Sequence, residues 1–512
     1  MRDPQLEPYL FTNLGPDKLG LSILAASLER AEIFGGQLDN LASALEVALK
    51  RVKDARSAVE SSIFRHKGAL HPIRSIPDDI LFSIFEWCTL MATYDRDALS
   101  MVPEDAPWTL SRVSHGWRNL VLSSPSLWST VNIHPLSFQV GAARRANLLS
   151  WLELLLRRSG RSDLHVRVSG TMVDPVTRWP VSDHVLLVTC FQSLRASTSR
   201  WRTAELKNVH HGLTSMFTGI VFERLSDLTL TFMEIHGAVV GPVRWYTPNV
   251  TRVALTEWAV GMVELSWANV RFFHCQAVSI WHLPSCVALE ELVITQVDEE
   301  SIQVANIQTP VVLPSLHTLS ILHCVPQIPD LLVLPSIITL WLDFDASGSK
   351  DYPRFGGAIQ RIHNLRLGSA VACGSSVESL LAFLRACVSV RALYVDSGIV
   401  NGEVLAALEI SEGREDDILL PQMTTLGFAP EVLDLFPHGL LDLVLSRSGE
   451  ASRSLHRLTE LKVMQFPFLE GYAEGILTRV TEWAPDVMEK WRAVNENVQV
   501  TDVYVDYFCL EV

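Results

Sequence analysis

A short leucine pattern recurs along the C-terminal two thirds of the chain and strongly limits how the chain can fold. Nine segments fit it: 225–233, 250–258, 289–295, 313–322, 334–344, 362–369, 390–396, 420–428 and 455–463. Most read Leu-x-x-Leu-x-Leu, as in LPSLHTLSIL (313–322), and their last apolar residues are usually some 20 to 40 positions apart. Because side chains alternate between the two faces of a strand, each segment predicts one strand with a buried face.

One strand followed by a helix or loop, repeated along a chain, is typical of leucine-rich repeats. The steps are irregular, so we predict a divergent α/β solenoid over residues 141–512. A late helix in EGILTRVTEWAPDVMEKWRAV (474–494) and a last strand in VYVDYF (503–508) would cap its open end.

The middle residue of each Leu-x-Leu strand faces away from the repeat core. This position holds Trp341, Arg366, Tyr394 and Lys462, which we take as candidate substrate-binding residues because aromatic and Arg side chains often anchor protein interfaces. The alternative is that a neighbouring loop or the C-terminal segment covers Trp341 and Tyr394.

Residues 1–18 are expected to form a flexible N-terminus, and residues 19–67 a long, coiled-coil-like heptad helix that Gly68 ends. Its apolar seam alternates steps of three and four: Leu38, Leu41, Leu45, Ala48, Val52, Ala55, Val59 and Ser62. We favour packing of this seam on the chain's own body, and the alternative is self-association through a coiled coil.

The segment HPIRSIPDDILFSIFEWC (71–88) predicts a short amphipathic helix. Pro77 suits the first helical position, and Asp78 and Asp79 place negative charge at the positive end of the helix dipole. A polar insertion at about 93–107 follows, and then a second helical pattern, WTLSRVSHGWRNLVLSS (108–124), with an extended segment after it.

These elements together resemble an F-box over residues 72–132. That family begins with Leu-Pro-x-Glu, continues with an Ile-Leu-x-x-Ile-Phe helix and a Val-Cys-x-x-Trp helix, and closes with Leu-Trp. The matching residues are Ile76, Pro77, Ile80, Leu81, Ile84, Phe85, Val113, Trp117, Leu127 and Trp128. The chain departs from the pattern at Asp79 (usually Glu), at Ser114 (usually Cys) and in the insertion between the helices.

The resemblance implies a small all-helical module whose matching residues bind the Skp-type adaptor of a cullin–RING ubiquitin ligase. The order of heptad helix, F-box and divergent leucine-rich array is similar to a large group of fungal F-box proteins. The chain would then be a non-catalytic receptor that presents a protein substrate for ubiquitylation. The alternative is a scaffold that uses the heptad helix and the repeats without any ligase.

Composition excludes several other classes. The net charge of −15 argues against a nucleic-acid partner, whose phosphates need Lys and Arg. Hydrophobic content of 48% indicates a folded chain, yet no apolar run reaches the roughly 20 residues of a membrane span. With no visible secretory signal and no Cys-x-x-Cys, we expect reduced thiols and a cytoplasmic or nuclear location.

No phosphate-binding loop, nucleophile elbow or His-Glu-x-x-His motif occurs, so we expect neither catalysis nor a cofactor. The best metal candidate is HCQAVSIWHLPSC, with His274, Cys275, His282 and Cys286, two imidazoles and two thiols. Its spacing matches no common zinc finger, and the segment lies between the predicted repeat strands. We therefore interpret these four residues as buried repeat residues and predict no metal site.

Overall fold

The computed structural model describes most of the chain, with gaps between elements. The described residues are 15–94, 106–133, 142–169, 181–209, 211–232, 243–256, 263–276, 282–296, 310–324, 328–344, 356–368, 377–396, 401–410, 418–429, 432, 435–449, 456–465 and 485–504. The chain divides into two compact units, Met1–Ser83 and Ile84–Val512, with the boundary inside a helix. An N-terminal long helix is followed by a parallel sheet with helices, an α/β architecture, as the sequence predicted.

The first helix, α1, runs from Lys18 to Ala69. Asp17 caps its start, because the carboxylate accepts a hydrogen bond of 2.7 Å from the N–H of Gly20. The N–H of Leu70 donates to the carbonyl of His66 at the other end. The helix continues through Gly68, two residues beyond the predicted range, so that glycine lies in its last turn instead of ending it.

The apolar seam of α1 is exposed. Leu38, Leu41, Leu45, Val52 and Val59 each keep between 50% and 66% of their surface accessible. Within the first unit these five residues are therefore exposed, and packing of the seam on the rest of the chain stays a prediction. A heptad pattern shows only that a helix can pair, because any apolar partner would satisfy it.

Gly36 lowers the stability of helix α1. It lies mid-helix, and a Cβ built there meets nothing within 4 Å. We expect Gly36→Ala to stabilise the helix by about 1 kcal/mol, since alanine loses less backbone entropy on becoming helical. Slower amide exchange of residues around position 36 would show the gain, and unchanged exchange would contradict it.

Three helices follow α1: α2 (Asp78–Tyr94), α3 (Leu110–Val113) and α4 (His115–Ser123). The sequence predicted one helix over the α3–α4 region, but the chain breaks at Ser114, whose backbone is extended. The hydroxyl of Ser114 accepts a hydrogen bond of 3.1 Å from the N–H of Trp117 and so caps α4. Most of the predicted insertion, residues 95–105, lies outside the described residues.

The second unit is organised by one parallel sheet of 14 described strands. These are β1 (Thr130–Ile133), β2 (Leu164–Ser169), β3 (Trp201–Val209), β4 (Asp227–Phe232), β6 (Arg252–Thr256), β8 (Phe272–Gln276), β9 (Glu291–Thr295), β11 (Thr318–Cys324), β13 (Thr339–Phe344), β14 (Asn364–Leu367), β15 (Ala392–Val395), β16 (Thr425–Phe428), β17 (Glu460–Gln465) and β18 (Gln499–Tyr504). Each pairs with the next in chain order, and in the described residues β1 and β18 do not pair with each other. Two short pairs lie apart from this sheet, β5 (Val243–Arg244) with β7 (Val263–Glu264) and β10 (Val311–Val312) with β12 (Leu332–Val333).

Helices occupy several of the connections between strands. They are α5 (Ala142–Arg158), α6 (Val181–Arg195), α7 (His211–Thr214), α8 (Val377–Ala386), α9 (Gly402–Leu408), α10 (Pro437–Ser448) and α11 (Pro485–Asn497). Their apolar residues join those of the strands in one continuous core, to which Leu152, Phe191, Leu384 and Trp491 belong. None of the described helices is both long and apolar enough to cross a bilayer.

All nine predicted repeat segments form strands of the sheet. The predicted late helix is α11, which begins at Pro485, and the predicted last strand is β18, which starts four residues earlier than expected. Residues 474–484 and 505–508 of these two segments lie outside the described residues. The repeat pattern missed β2, β3 and β8, whose strands contain valine, alanine, phenylalanine and polar residues where the other strands have leucine.

Candidate functional site

Helix α2 carries exposed apolar side chains on one face. Ile80, Ile84 and Trp87 follow at i, i+4 and i+7 and therefore lie on the same side of the helix. Their exposed fractions are 50%, 42% and 62%, and Leu90 is also exposed. We call Ile80, Ile84 and Trp87 the α2 face.

The side of α2 next to this face is buried. Phe85 is fully buried, and its ring lies 4.8 Å from the ring of Trp117 on α4, in an edge-to-face arrangement. Leu81 is buried as well. This burial holds α2 in place and turns the α2 face towards solvent.

A second aromatic cluster follows α4. The rings of Trp108 and Trp128 meet edge to face at 4.9 Å, and the guanidinium of Arg158 on α5 lies 4.3 Å from the centre of the Trp128 ring. The indole N–H of Trp128 donates to the carbonyl of Val121 at 2.9 Å. The Leu-Trp pair at 127–128 thus fixes the end of α4 to the beginning of the strand region.

The predicted adaptor-binding residues therefore fall into two groups. Pro77, Ile80, Ile84 and Val113 are exposed, and Ile76 and Trp117 are partly buried. Leu81, Phe85, Leu127 and Trp128 belong to the buried interior, so they are not available as a contact surface in this structure. The sequence analysis omitted Trp87 and Leu90, although the spacing of Trp87 from Ile80 and Ile84 would have identified it.

A row of residues crosses the whole sheet at the middle strand position. In register, from β1 to β18, it comprises Asn132, Arg167, Glu205, Thr229, Ala254, His274, Val293, Ser320, Trp341, Arg366, Tyr394, Gly427, Lys462 and Thr501. We call it the central row. Rows of buried apolar residues flank it on both sides, as Leu365 and Leu367 flank Arg366.

The four candidate substrate-binding residues all lie in the central row. Trp341 and Arg366 are neighbours on β13 and β14, with the guanidinium carbon 3.8 Å from the centre of the indole ring. This stacking leaves both side chains partly buried. Trp341 is thus partly covered by its neighbour in the row, whereas the sequence alternative invoked a loop or the C-terminal segment.

Tyr394 and Lys462 lie further along the row with Gly427 between them. The ammonium of Lys462 donates to the Tyr394 hydroxyl at 3.5 Å and forms an ion pair of 3.1 Å with Glu460. Partial burial lowers the pKa of Lys462, but its contacts with Glu460 and Tyr394 more than offset this, so the pKa is raised overall. Lys462 is therefore a fixed positive charge on this part of the sheet.

Gly427 makes room for the Tyr394 ring. A Cβ at position 427 would lie 2.2 Å from Cδ1 of Tyr394, far inside van der Waals contact. We expect Gly427→Ala to push the ring aside and to lower the free energy of unfolding by about 1 to 3 kcal/mol. Thermal unfolding would measure the loss, and Gly402→Ala, where a Cβ meets nothing within 4 Å, is the matched control. Equal melting temperatures for the two variants would contradict the prediction.

The N-terminal part of the row carries an ion cluster that the leucine pattern did not reveal. Glu205 accepts from Arg167 at 2.5 Å and pairs with Lys207 at 3.0 Å. Burial alone would raise the pKa of Glu205, but the two cations hold it below its usual value. The charges of this cluster are thus paired with one another.

Two of the four candidate zinc ligands, His274 and Cys275, lie in a strand, whereas the sequence analysis placed them between strands. His274 and Cys275 are on strand β8, not between strands, and consecutive strand residues point to opposite faces. Burial lowers the pKa of both His274 and His282 to about 4 and raises that of the Cys286 thiol to about 12. Among the described residues, no group of three or more His, Cys, Asp or Glu side chains is arranged to hold a metal ion.

Comparison with known proteins adds no identification. No protein-family profile matches the chain, and no curated protein matches it significantly.

Proposed function

We propose that the chain is the substrate-recognition subunit of a cullin–RING ubiquitin ligase. Residues 72–132 would act as an F-box that docks a Skp-type adaptor, and the parallel strands would form a leucine-rich-repeat solenoid that binds a protein substrate. The observation that carries the proposal is the α2 face: three large apolar side chains that stay exposed on a helix whose adjoining side is buried. The F-box-like order of motifs from Ile76-Pro77 to Leu127-Trp128 favours a Skp-type adaptor as the partner of this face.

The α2 face suits docking of a helix into an apolar groove. Burying a large apolar side chain contributes about 1.5 to 3 kcal/mol, so three of them supply several kcal/mol towards the cost of association. A functional partner also explains why these residues are apolar at all. Polar residues at the same positions would be equally compatible with the helix and better suited to water.

The central row between Trp341 and Lys462 supports a role in holding a protein substrate. It presents an aromatic–guanidinium stack, a tyrosine and a fixed ammonium within five neighbouring strands. Tryptophan, tyrosine and arginine are the residue types most often found at the energetic centre of protein interfaces.

Co-purification tests the ligase proposal directly. The full chain is co-expressed with a Skp-type adaptor, and we expect the two to elute together from a size-exclusion column in a stable complex. Addition of a cullin, its RING subunit and the ubiquitin-conjugating enzymes should then yield ubiquitin conjugates on the chain itself or on a captured substrate. A folded chain that does not retain the adaptor would refute the proposal.

A scaffold remains the second candidate, and the exposed seam of α1 favours it. A scaffold would use α1 and the strand region to bring partners together without any adaptor. Its expected signature is capture of the same partners whether or not the α2 face is intact. Under the ligase proposal, changing the α2 face abolishes binding of the adaptor but leaves binding of the substrate intact.

A further inference from the structure

Helix α1 is long, and the described residues of the first unit make few contacts that would explain its stability. At 52 residues it extends about 78 Å, and nearly every described side chain from position 21 to position 67 is exposed or only partly buried. Most helical stability in proteins comes from packing of an apolar face, not from helix propensity. The exposed seam therefore needs a partner.

The seam extends upstream of Leu38, and the size of its side chains differs between its two halves. Two further residues continue the alternation of three and four upstream of Leu38, namely Phe34 and Ala31. The N-terminal half of the seam is bulky: Phe34, Leu38, Leu41 and Leu45. The C-terminal half is small: Ala48, Val52, Ala55, Val59 and Ser62.

This asymmetry distinguishes the two ways in which identical helices can pair. A parallel pair in register would set large against large at one end and small against small at the other. An antiparallel pair centred between residues 46 and 47 sets the larger residue against the smaller one in its four inner layers, and Ala31 against Ser62 at each outer end. Its layers are Phe34 with Val59, Leu38 with Ala55, Leu41 with Val52, and Leu45 with Ala48, which fill the space between the helices evenly.

The charges beside the seam agree with the antiparallel arrangement. In a parallel pair, Arg51 of one helix and Arg56 of the other occupy the flanking positions that face each other, and like charges there disfavour pairing. In the antiparallel pair Arg51 faces Ala44 and Arg56 faces Gly35. The like-charge pair that it creates, Arg30 with Arg65, lies at the outer ends, where solvent screens it.

We infer that α1 pairs antiparallel with α1 of a second copy of this chain. The interface is isologous, because each layer occurs twice about a two-fold axis. The matching of large with small residues is a property of this one sequence read against itself, which is why a second copy fits better than an unrelated helix. The inference goes beyond the proposed ligase function and does not depend on it.

The mass of the full chain in solution provides the first test. We expect a dimer by sedimentation equilibrium, and Leu38→Glu plus Leu45→Glu should weaken it at least about 100-fold, because four seam layers would bury charges. Val47→Glu plus Phe64→Glu is the matched control. It replaces two exposed apolar residues on the other side of α1 with the same charges and should leave the dimer intact. A monomeric parent chain, or equal loss in both variants, would overturn the inference.

Disulfide cross-linking tests the orientation. Cys88, the exposed cysteine among the described residues, is first replaced by serine to give a background chain. On that background, Leu38→Cys and Ala55→Cys are prepared separately and then mixed. Antiparallel pairing places position 38 beside position 55 of the other copy, so the mixture should cross-link well above the background.

The single variants complete this test. In the antiparallel dimer the two copies of position 38 are 17 residues apart along the helices, about 25 Å, which a disulfide cannot span. In a parallel dimer they are adjacent. Efficient cross-linking of Leu38→Cys alone, without gain on mixing, would overturn the antiparallel arrangement.

Discussion

Replacing Ile80 and Ile84 together with aspartate is expected to abolish retention of the Skp-type adaptor while the chain stays folded. Both side chains are about half exposed, so the substitutions remove little packing from the chain itself. In a complex, each would lose about 1.5 to 3 kcal/mol of apolar burial and would also place a carboxylate in an apolar groove. The affinity should therefore fall by at least about 100-fold, measured by calorimetry or by co-elution.

The control for this experiment changes the same residue types elsewhere. Val388→Asp plus Leu435→Asp replaces two exposed apolar residues of the second unit with aspartate and should leave adaptor binding intact. Trp87→Ala is expected to weaken binding by a smaller factor, since it removes one contact without adding charge. If the double variant at 80 and 84 binds like the parent, the docking face is assigned wrongly, even if a complex forms.

Arg447→Met is expected to lower the free energy of unfolding of the second unit by about 3 kcal/mol or more. Arg447 is 2% exposed, and its guanidinium donates to three carbonyls: Leu408 at 2.7 Å, Leu420 at 3.1 Å and Leu419 at 2.6 Å. Methionine fills similar space but leaves the buried carbonyls of Leu408 and Leu419 without this donor, at about 1 to 3 kcal/mol each, whereas the carbonyl of Leu420 keeps a hydrogen bond from the N–H of Met423. Urea unfolding followed by tryptophan fluorescence would measure the loss.

The chemistry of this site explains why a charge is tolerated in the core. Burial lowers the pKa of Arg447 to about 10, which still leaves it charged at neutral pH. One of its acceptors, Leu420, has a left-handed backbone with φ of 49°, an uncommon conformation for leucine that the guanidinium helps to hold. Arg492→Met, at an exposed position of α11, is the control. A loss in Arg447→Met no larger than in this control would contradict the structural role.

The strand region was largely predictable because its signal is local and repeated. A leucine pair such as Leu365 and Leu367 identifies both the strand and its buried face, and the residue between them must lie in the central row. The pattern failed at β8, where Phe273 and Cys275 fill the positions that leucine has elsewhere. Both side chains are apolar and buried in the core, although neither is the leucine that the pattern requires.

The buried side of α2 was harder to predict from the sequence, because that helix is apolar around much of its circumference. Ile80 and Ile84 alternate with Leu81 and Phe85, and one sequence cannot say which pair faces the interior. The aromatic contact of Phe85 with Trp117 decides it, and that contact joins residues 32 positions apart. For α1 the limit was different: the sequence predicted the helix, but periodicity does not determine what covers its apolar seam.

Pairing of the strands strictly in chain order makes the length of this sheet adjustable. Since each strand of the main sheet bonds only to the strands just before and after it in the sheet, a unit could be duplicated or lost without rerouting the rest. The last apolar residues of successive leucine segments are 21 to 39 positions apart, so the connections differ in length while the strands keep their register. Such an architecture allows the sheet to be lengthened or shortened by whole steps of strand and connection while the N-terminal helices stay unaltered.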